Sequence, residues 1–202
     1  MSQLRIFRKQ AHCGVLGPGN RAVIWVQGCS FACPGCLVPE SWNSKGGELA
    51  GVDSLAEWLL GLKGIEGVTF SGGEPFGQAE ALLELTSQLK LRGSNLGLMS
   101  YTGYSFEWLL QHGTEAQRAL LDRLDLLIDG RYRREMHADI LWRGSLNQKI
   151  HLLSERYLGR LPKDDVGSGL ELRFSPDGTF TFNGVPQWGD FAYSIKGSLL
   201  GR

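Results

Sequence analysis

Apolar positions along this chain switch repeatedly between a strand-like and a helix-like period. Residues 21–27, RAVIWVQ, are β-branched and apolar, which predicts a buried strand ending at Gly28. Ser54 and Glu57 have capping-box spacing, and Leu55, Trp58, Leu59 and Leu62 then recur at helical intervals. A second strand is expected over 67–70, a helix over 78–91 with Leu82, Leu85 and Leu89 on one face, and a third strand over 96–101. Helices follow over 106–111 and, capped by Thr114 and Gln117, over 115–123, before a fourth strand at 124–128. Strands alternating with helices imply βα units and a mostly parallel sheet, in which ligands sit beyond the carboxyl ends of the strands. Gly28-Cys29, Gly72-Gly73-Glu74, Tyr101-Thr102 and Asp129-Gly130 all fall at such ends and are expected to meet on one rim.

From about Gly167 the texture changes. Leu170, Leu172 and Phe174 alternate with polar residues, Ser175-Pro176-Asp177-Gly178 reads as a turn, and alternation resumes over 179–182, predicting a β-hairpin. The expected organisation is an α/β domain over 1–159, then a linker and hairpin extension over 160–202 that includes the aromatic stretch Trp188 to Tyr193.

Lys plus Arg equals Asp plus Glu at 21 each, which gives no global positive field to draw the chain onto nucleic acid or anionic lipid. No apolar run approaches a membrane span and Met1 to Lys9 lacks a secretory pattern, so no membrane partner and a cytoplasmic location are expected. Of the four cysteines, Cys13 stands apart and reads as a small buried hydrophobe, while the other three lie within eight residues.

Cys29-x-x-x-Cys33-x-x-Cys36 admits several chemistries. Three thiolates on a four-iron cubane leave one iron open for an exogenous ligand, the reading favoured by spacing. Zinc, with His12 or His112 as a fourth ligand, is a second reading. A Cys33–Cys36 redox pair is a third, and it leaves Cys29 unexplained. In Ser71-Gly72-Gly73-Glu74-Pro75, backbone carbonyls and one carboxylate suit a bound ammonium group; ordinary turn chemistry explains the glycines equally well. His137 and His151 read as surface or hydrogen-bonded core residues, and the tryptophans as packing.

Taken in order, Gly17-Pro18-Gly19-Asn20-Arg21, Gln27-Gly28-Cys29 through Cys36, Pro39-Glu40-Ser41-Trp42, the glycine-glycine-glutamate turn, Tyr101-Thr102-Gly103-Tyr104, Ile128-Asp129-Gly130 and Trp142-Arg143-Gly144-Ser145 with Asn147-Gln148 resemble a known family. It is the radical S-adenosylmethionine (SAM) superfamily, and more narrowly the anaerobic ribonucleoside-triphosphate reductase activating proteins, which are glycyl-radical-enzyme activases. The resemblance spans about residues 10–153 and implies an incomplete parallel (β/α) barrel. It implies that Cys29, Cys33 and Cys36 bind a [4Fe-4S] cluster and that SAM chelates the open iron and is cleaved reductively to a 5'-deoxyadenosyl radical. By the same resemblance Gly72, Gly73 and Glu74 hold the methionyl amine, Gly35 and Leu37 line the SAM pocket, and Tyr101, Thr102 and Asp129 are further SAM contacts. Arg143 to Gln148 positions SAM or a partner loop, or simply enters a strand. No acid–base catalytic residue is required.

The expected partners are a protein or peptide substrate such as a glycyl radical enzyme, and a low-potential electron donor such as flavodoxin or ferredoxin. Members of the family usually end soon after the Asn-Gln segment, whereas this chain continues for about fifty residues, leaving two alternatives. One is a radical SAM enzyme acting on another peptide or a small molecule; the other is a non-catalytic iron–sulfur or zinc module.

Overall fold

The structure is a computed structural model that describes residues 2–167, 169–174, 177–178 and 180–186. Ser175 and Pro176 of the expected turn, and the stretch Trp188 to Tyr193, lie outside the described residues.

In chain order the elements are β1 (Gln3–Cys13), β2 (Arg21–Val26), β3 (Glu48–Gly51), α1 (Val52–Gly61), β4 (Gly67–Gly72), α2 (Ala79–Leu91), β5 (Gly97–Tyr101), α3 (Phe106–His112), α4 (Glu115–Leu121) and β6 (Leu126–Asp129). Five short strands follow: β7 (His137–Ile140), β8 (Arg143–Ser145), β9 (Lys149–Leu152), β10 (Leu170–Phe174) and β11 (Phe180–Gly184). Seven of these form one sheet in the order β3-β1-β2-β4-β5-β6-β9, while β7 pairs with β8 and β10 with β11.

Only the centre of the large sheet, β2-β4-β5-β6, is parallel. Both flanks are antiparallel, with β1 against β2 and β3, and β9 against β6. The architecture is therefore mixed α/β rather than mostly parallel. The antiparallel flanks exist because β1, β3 and β9 arrive through connections that contain no crossover helix to return the chain in the same direction.

The two faces of the sheet differ. Along β2, Ala22, Ile24 and Val26 join α1, α2 and α4 in the main core, with Leu55, Leu59, Leu82, Leu85 and Leu89 fully buried. The alternate residues Val23 and Trp25 point to the other face, where they pack with Cys13. Cys13 is the buried hydrophobe its sequence position suggests. The helices thus cover one face and leave the other to the candidate site.

Local signals explain most boundaries. The Thr114–Gln117 capping box at α4 is formed in both directions, with Gln117 N donating to Thr114 Oγ1 at 3.2 Å and Thr114 N to Gln117 Oε1 at 2.9 Å. The expected box at Ser54 and Glu57 is not formed. Helix α1 starts two residues before Ser54, its N-cap is Gly51, and no side chain caps it. Among the described residues no helix is long and apolar enough to cross a membrane.

At the amino ends of the parallel strands, Arg21 is fully buried. Its guanidinium donates to Thr69 Oγ1, to the Val68, Gly97 and Pro18 carbonyls and to the Tyr157 hydroxyl at 2.7–3.2 Å. A buried cation satisfied by neutral oxygens costs desolvation yet ties strands β2, β4 and β5 to the Tyr157 turn. Replacing it by Met keeps the volume but strips donors from buried carbonyls. Arg21→Met is expected to lower the unfolding free energy by about 2–4 kcal/mol in urea denaturation.

Candidate active site

The cysteine loop leaves the sheet where β2 ends, and backbone contacts fix its exit. Gly28 N donates to Ser41 O at 2.7 Å and Cys29 N to Trp42 O at 3.0 Å. Gln27 holds the returning strand of the loop through Nε2 bonds to the Glu40 and Asn43 carbonyls. Next to it, Gly73 N donates to Val26 O and Glu74 N to Gly28 O, both at 2.8 Å.

These contacts explain the glycine pair. A Cβ on Gly73 would stand 2.3 Å from the Gly28 carbonyl oxygen, and one on Gly72, whose φ is +95°, would stand 2.7 Å from Val26 O. Backbone lies against backbone, so neither residue tolerates a side chain.

Within the loop, Cys36 N donates to Cys33 O at 3.0 Å, and positive φ at Ala32 and Gly35 (+45° and +81°) turns the chain around the thiols. Val38 N donates to Cys36 Sγ at 3.4 Å, the kind of N–H···S bond that stabilises a ligating thiolate. All three thiols are free and half-buried. Burial pushes the Cys29 and Cys33 thiols above their ordinary pKa; at Cys33 the neighbouring thiols add to this and the Arg131 charge opposes it. Binding a metal there releases protons.

Among the described residues, no three His, Cys, Asp or Glu side chains are gathered closely enough to hold a single metal ion. Three thiolates on one loop suit a cubane, which takes each on a different iron and leaves one iron open. The histidines of the zinc reading are engaged elsewhere: the His12 ring pairs with Asn20, and His112 lies against Trp108 at the end of α3. Half-buried thiols, an N–H aimed at sulfur and a loop turned by positive φ together fit an iron–sulfur cluster.

Glu74 is buried, and its carboxylate is already occupied. Oε1 accepts from Phe76 N and Thr102 Oγ1, both at 2.9 Å, and Oε2 accepts from Gly103 N at 2.7 Å. Burial raises its pKa from the ordinary 4.5 to about 7, although the three donors oppose the shift. Glu74 therefore stitches the end of β4 to the end of β5. With about four acceptor positions on a carboxylate, little capacity remains for a ligand amine.

Beside the loop lies a cavity of about 630 Å³. Of the residues expected to contact SAM, Leu37, Gly72 and Tyr101 line it, together with Cys36. Gly35 packs on Tyr132 and Gly73 on Gly28. Thr102 is buried against Glu74. Asp129 faces the opposite way: its carboxylate accepts from Phe106 N at the start of α3 and from Lys149 N in β9, with His151 Nε2 at 3.1 Å. Both are strand-end braces rather than lining residues.

Other lining residues escaped the sequence reading. Arg8 sits with its guanidinium carbon 4.0 Å over the Trp25 ring, and the hairpin residues Phe180, Phe182 and Asn183 form a further wall. Arg8 Nη2 donates to Asn183 Oδ1 at 2.8 Å, and Asn183 Nδ2 donates to Gln10 Oε1 at 3.0 Å, docking the hairpin on β1. The alternation of Leu4 and Ile6 marks β1 but continues onto the helix-covered face; a register shift between Ile6 and Arg8 turns Arg8 to the cavity side, opposite Trp25, which the pattern alone does not signal.

The fold and the loop define an iron–sulfur protein class: the "4Fe-4S single cluster domain" family matches residues 15–151. Within it, the chain belongs to the family of anaerobic ribonucleoside-triphosphate reductase-activating proteins, the family its motifs resemble. The protein of that name from Enterobacteria phage T4 is 34% identical over 140 residues, which are 67% of this chain and 86% of the phage protein. The Haemophilus influenzae protein is 34% identical over 142 residues, 67% of this chain and 89% of its own. The Escherichia coli protein is 29% identical, with 69% and 92% covered. Among solved structures, QueE from Escherichia coli matches with a TM-score of 0.40 and 20% identity over 61% of this chain and 68% of that one, too distant to carry an argument.

Because the folded pKa of Glu74 lies above its unfolded value, the neutral form is favoured by folding, and stability is lost as pH rises from about 4.5 through about 7. Glu74→Gln removes this titration. In metal-free protein the wild-type unfolding free energy is expected to fall between pH 5 and pH 8 by about 1–3 kcal/mol more than that of the variant. Equal pH dependence in urea denaturation would show that Glu74 is ionised throughout.

Proposed function

We propose that this chain cleaves SAM reductively at a [4Fe-4S] cluster held by Cys29, Cys33 and Cys36, and that the resulting 5'-deoxyadenosyl radical abstracts hydrogen from a backbone glycine of an anaerobic ribonucleotide reductase. The observation that carries this reading is the loop of half-buried thiols opening, at Cys36, onto a cavity large enough for a nucleoside-sized ligand. When bound, the cluster supplies the electron that breaks the sulfonium C–S bond, and SAM supplies the radical.

The protein's own contribution is placement. Leu37, Gly72 and Tyr101 form walls around SAM, and the Tyr101 hydroxyl, donating to Trp142 O at 2.9 Å, braces the far side. Gly72 offers its carbonyl to the methionyl amine, while Gly73, Glu74, Thr102 and Asp129 hold the strand ends in place, and Gly35 turns the cluster loop. The apolar lining from Trp25, Trp142, Phe180 and Phe182 excludes water from a reactive radical.

The seven-stranded sheet, with helices on one face and this cavity on the other, is read as the incomplete barrel of the radical SAM type. Residues 1–159 are taken as its domain and 160–202 as an accessory segment whose hairpin narrows the cavity. The substrate is the reductase protein named by the relatives, and the four free thiols suit the reducing cytoplasm.

After anaerobic reconstitution with iron and sulfide, the wild type plus dithionite and SAM is expected to bind about four irons and release 5'-deoxyadenosine. Changing Cys29, Cys33 and Cys36 together to Ala is expected to reduce that product to the no-enzyme background. Bound zinc, or a cluster that never cleaves SAM, would refute the proposal.

A further inference from the structure

The run Arg143-Gly144-Ser145-x-Asn147-Gln148 does not act on the cavity alone; the side chains of Ser145, Asn147 and Gln148 each bond to the segment after β6. Gln148 Nε2 donates to the Gly130 carbonyl at 2.9 Å, and its Oε1 accepts from Gly144 N and Ser145 N. Asn147 Nδ2 donates to the Arg131 carbonyl at 2.9 Å, and Ser145 Oγ accepts from Arg133 N at 3.2 Å. The backbone of residues 130–133 is therefore pinned by consecutive polar contacts.

What this clamp presents is positive charge beside the cysteine loop. Arg131, Arg133 and Arg134 are all exposed, and Glu135 is the one acidic residue of the run. The Arg131 guanidinium carbon lies 4.2 Å from the centre of the Phe31 ring, between Cys29 and Cys33 in sequence. Arg134 packs on the other side of the loop, where a Cβ on Gly35 would meet its Cβ and Cδ at 3.5 Å. Ala32 and Pro34, on either side of Cys33, are exposed, so the cover over this thiol is thin. In a chain of zero net charge, a basic run held against the cysteine loop is a local field rather than a general one.

If the proposed function holds, each SAM cleaved consumes one electron that must come from outside the chain. We propose that Arg131, Arg133 and Arg134, presented by the Ser145-Asn147-Gln148 clamp, form the docking face for an acidic one-electron carrier protein that reduces the cluster over Cys33. The carrier loses one electron and the cluster gains it; no proton or atom moves between them. The arginines steer the encounter by charge complementarity, which acts mainly on the association rate and weakens with salt. The polar clamp holds the backbone that carries these charges in register with the loop.

The test uses reconstituted full-length protein, with flavodoxin hydroquinone as the acidic carrier and dithionite as a small reductant that needs no docking face. Bleaching of the cluster absorbance is followed by stopped flow across a salt series, and affinity for oxidised flavodoxin is measured by titration. The charge reversal Arg131→Glu with Arg133→Glu is expected to slow reduction by flavodoxin at least about tenfold more than it slows reduction by dithionite, to flatten the flavodoxin salt dependence and to weaken binding. Arg133→Glu alone, whose site lies further from the Phe31 contact, is expected to show a smaller loss of the same kind. Flavodoxin rates and affinity equal to wild type in both variants would overturn the docking face. So would an equal slowing by dithionite in Arg133→Glu, or a defect seen only when the reductase substrate is present, which would assign the face to that protein. Failure of the dithionite-reduced wild type to cleave SAM is a separate result and bears on the proposed function instead.

Discussion

Everything at the candidate site depends on one close approach, the contact of the Gly72-Gly73 backbone with the residues that end β2. Two peptide groups donate across it, Gly73 N to Val26 O and Glu74 N to Gly28 O. A single methyl group at Gly73 would push the strand ends apart, since the Gly28 oxygen occupies its place. The contact carries mechanical consequences for both motifs: it aims the chain into the cysteine loop on one side and starts the Glu74 turn on the other. Two motifs separated by about forty residues are thus one structural unit.

From that unit the rim is built outwards by side chains that bind the next strand rather than a ligand. Glu74 reaches the Thr102-Gly103 backbone beyond β5, and Asp129, at the end of β6, reaches α3 and β9. Burying each carboxyl group costs desolvation, which backbone and side-chain donors from neighbouring elements oppose. Such cross-ties join the strand ends to one another on the side of the parallel strands. The opposite side is closed by polar contacts between separate pieces: the hairpin on β1, and the 143–148 run on the segment after β6.

The parallel centre of the sheet was legible because its strands are short apolar runs with glycine at or just past their ends, and its helices carry leucines at helical spacing against a single core. The cysteine loop and the glycine-glycine-glutamate turn were legible from residue type and order. Three things were hidden for physical reasons. Strand β1 mixes arginines and glutamines with a short apolar alternation, since one of its faces meets the cavity and the hairpin rather than a core. Ser54 and Glu57 have the spacing of a cap, but Val52 is buried under the sheet and draws the helix start back past them. Finally, the direction in which Asp129 and Glu74 point is decided by which backbone donors lie nearby, information that no local pattern carries.

The proposal of an open iron beside this cavity is tested most directly by electron paramagnetic resonance of the dithionite-reduced, iron-reconstituted protein with and without SAM. A reduced-cubane signal that is absent from the Cys36→Ala variant, and whose g-values shift when SAM is added, is the outcome expected of a cluster with a ligand-accessible iron. A signal indifferent to SAM, or a protein that takes up zinc and gives no signal, would contradict it.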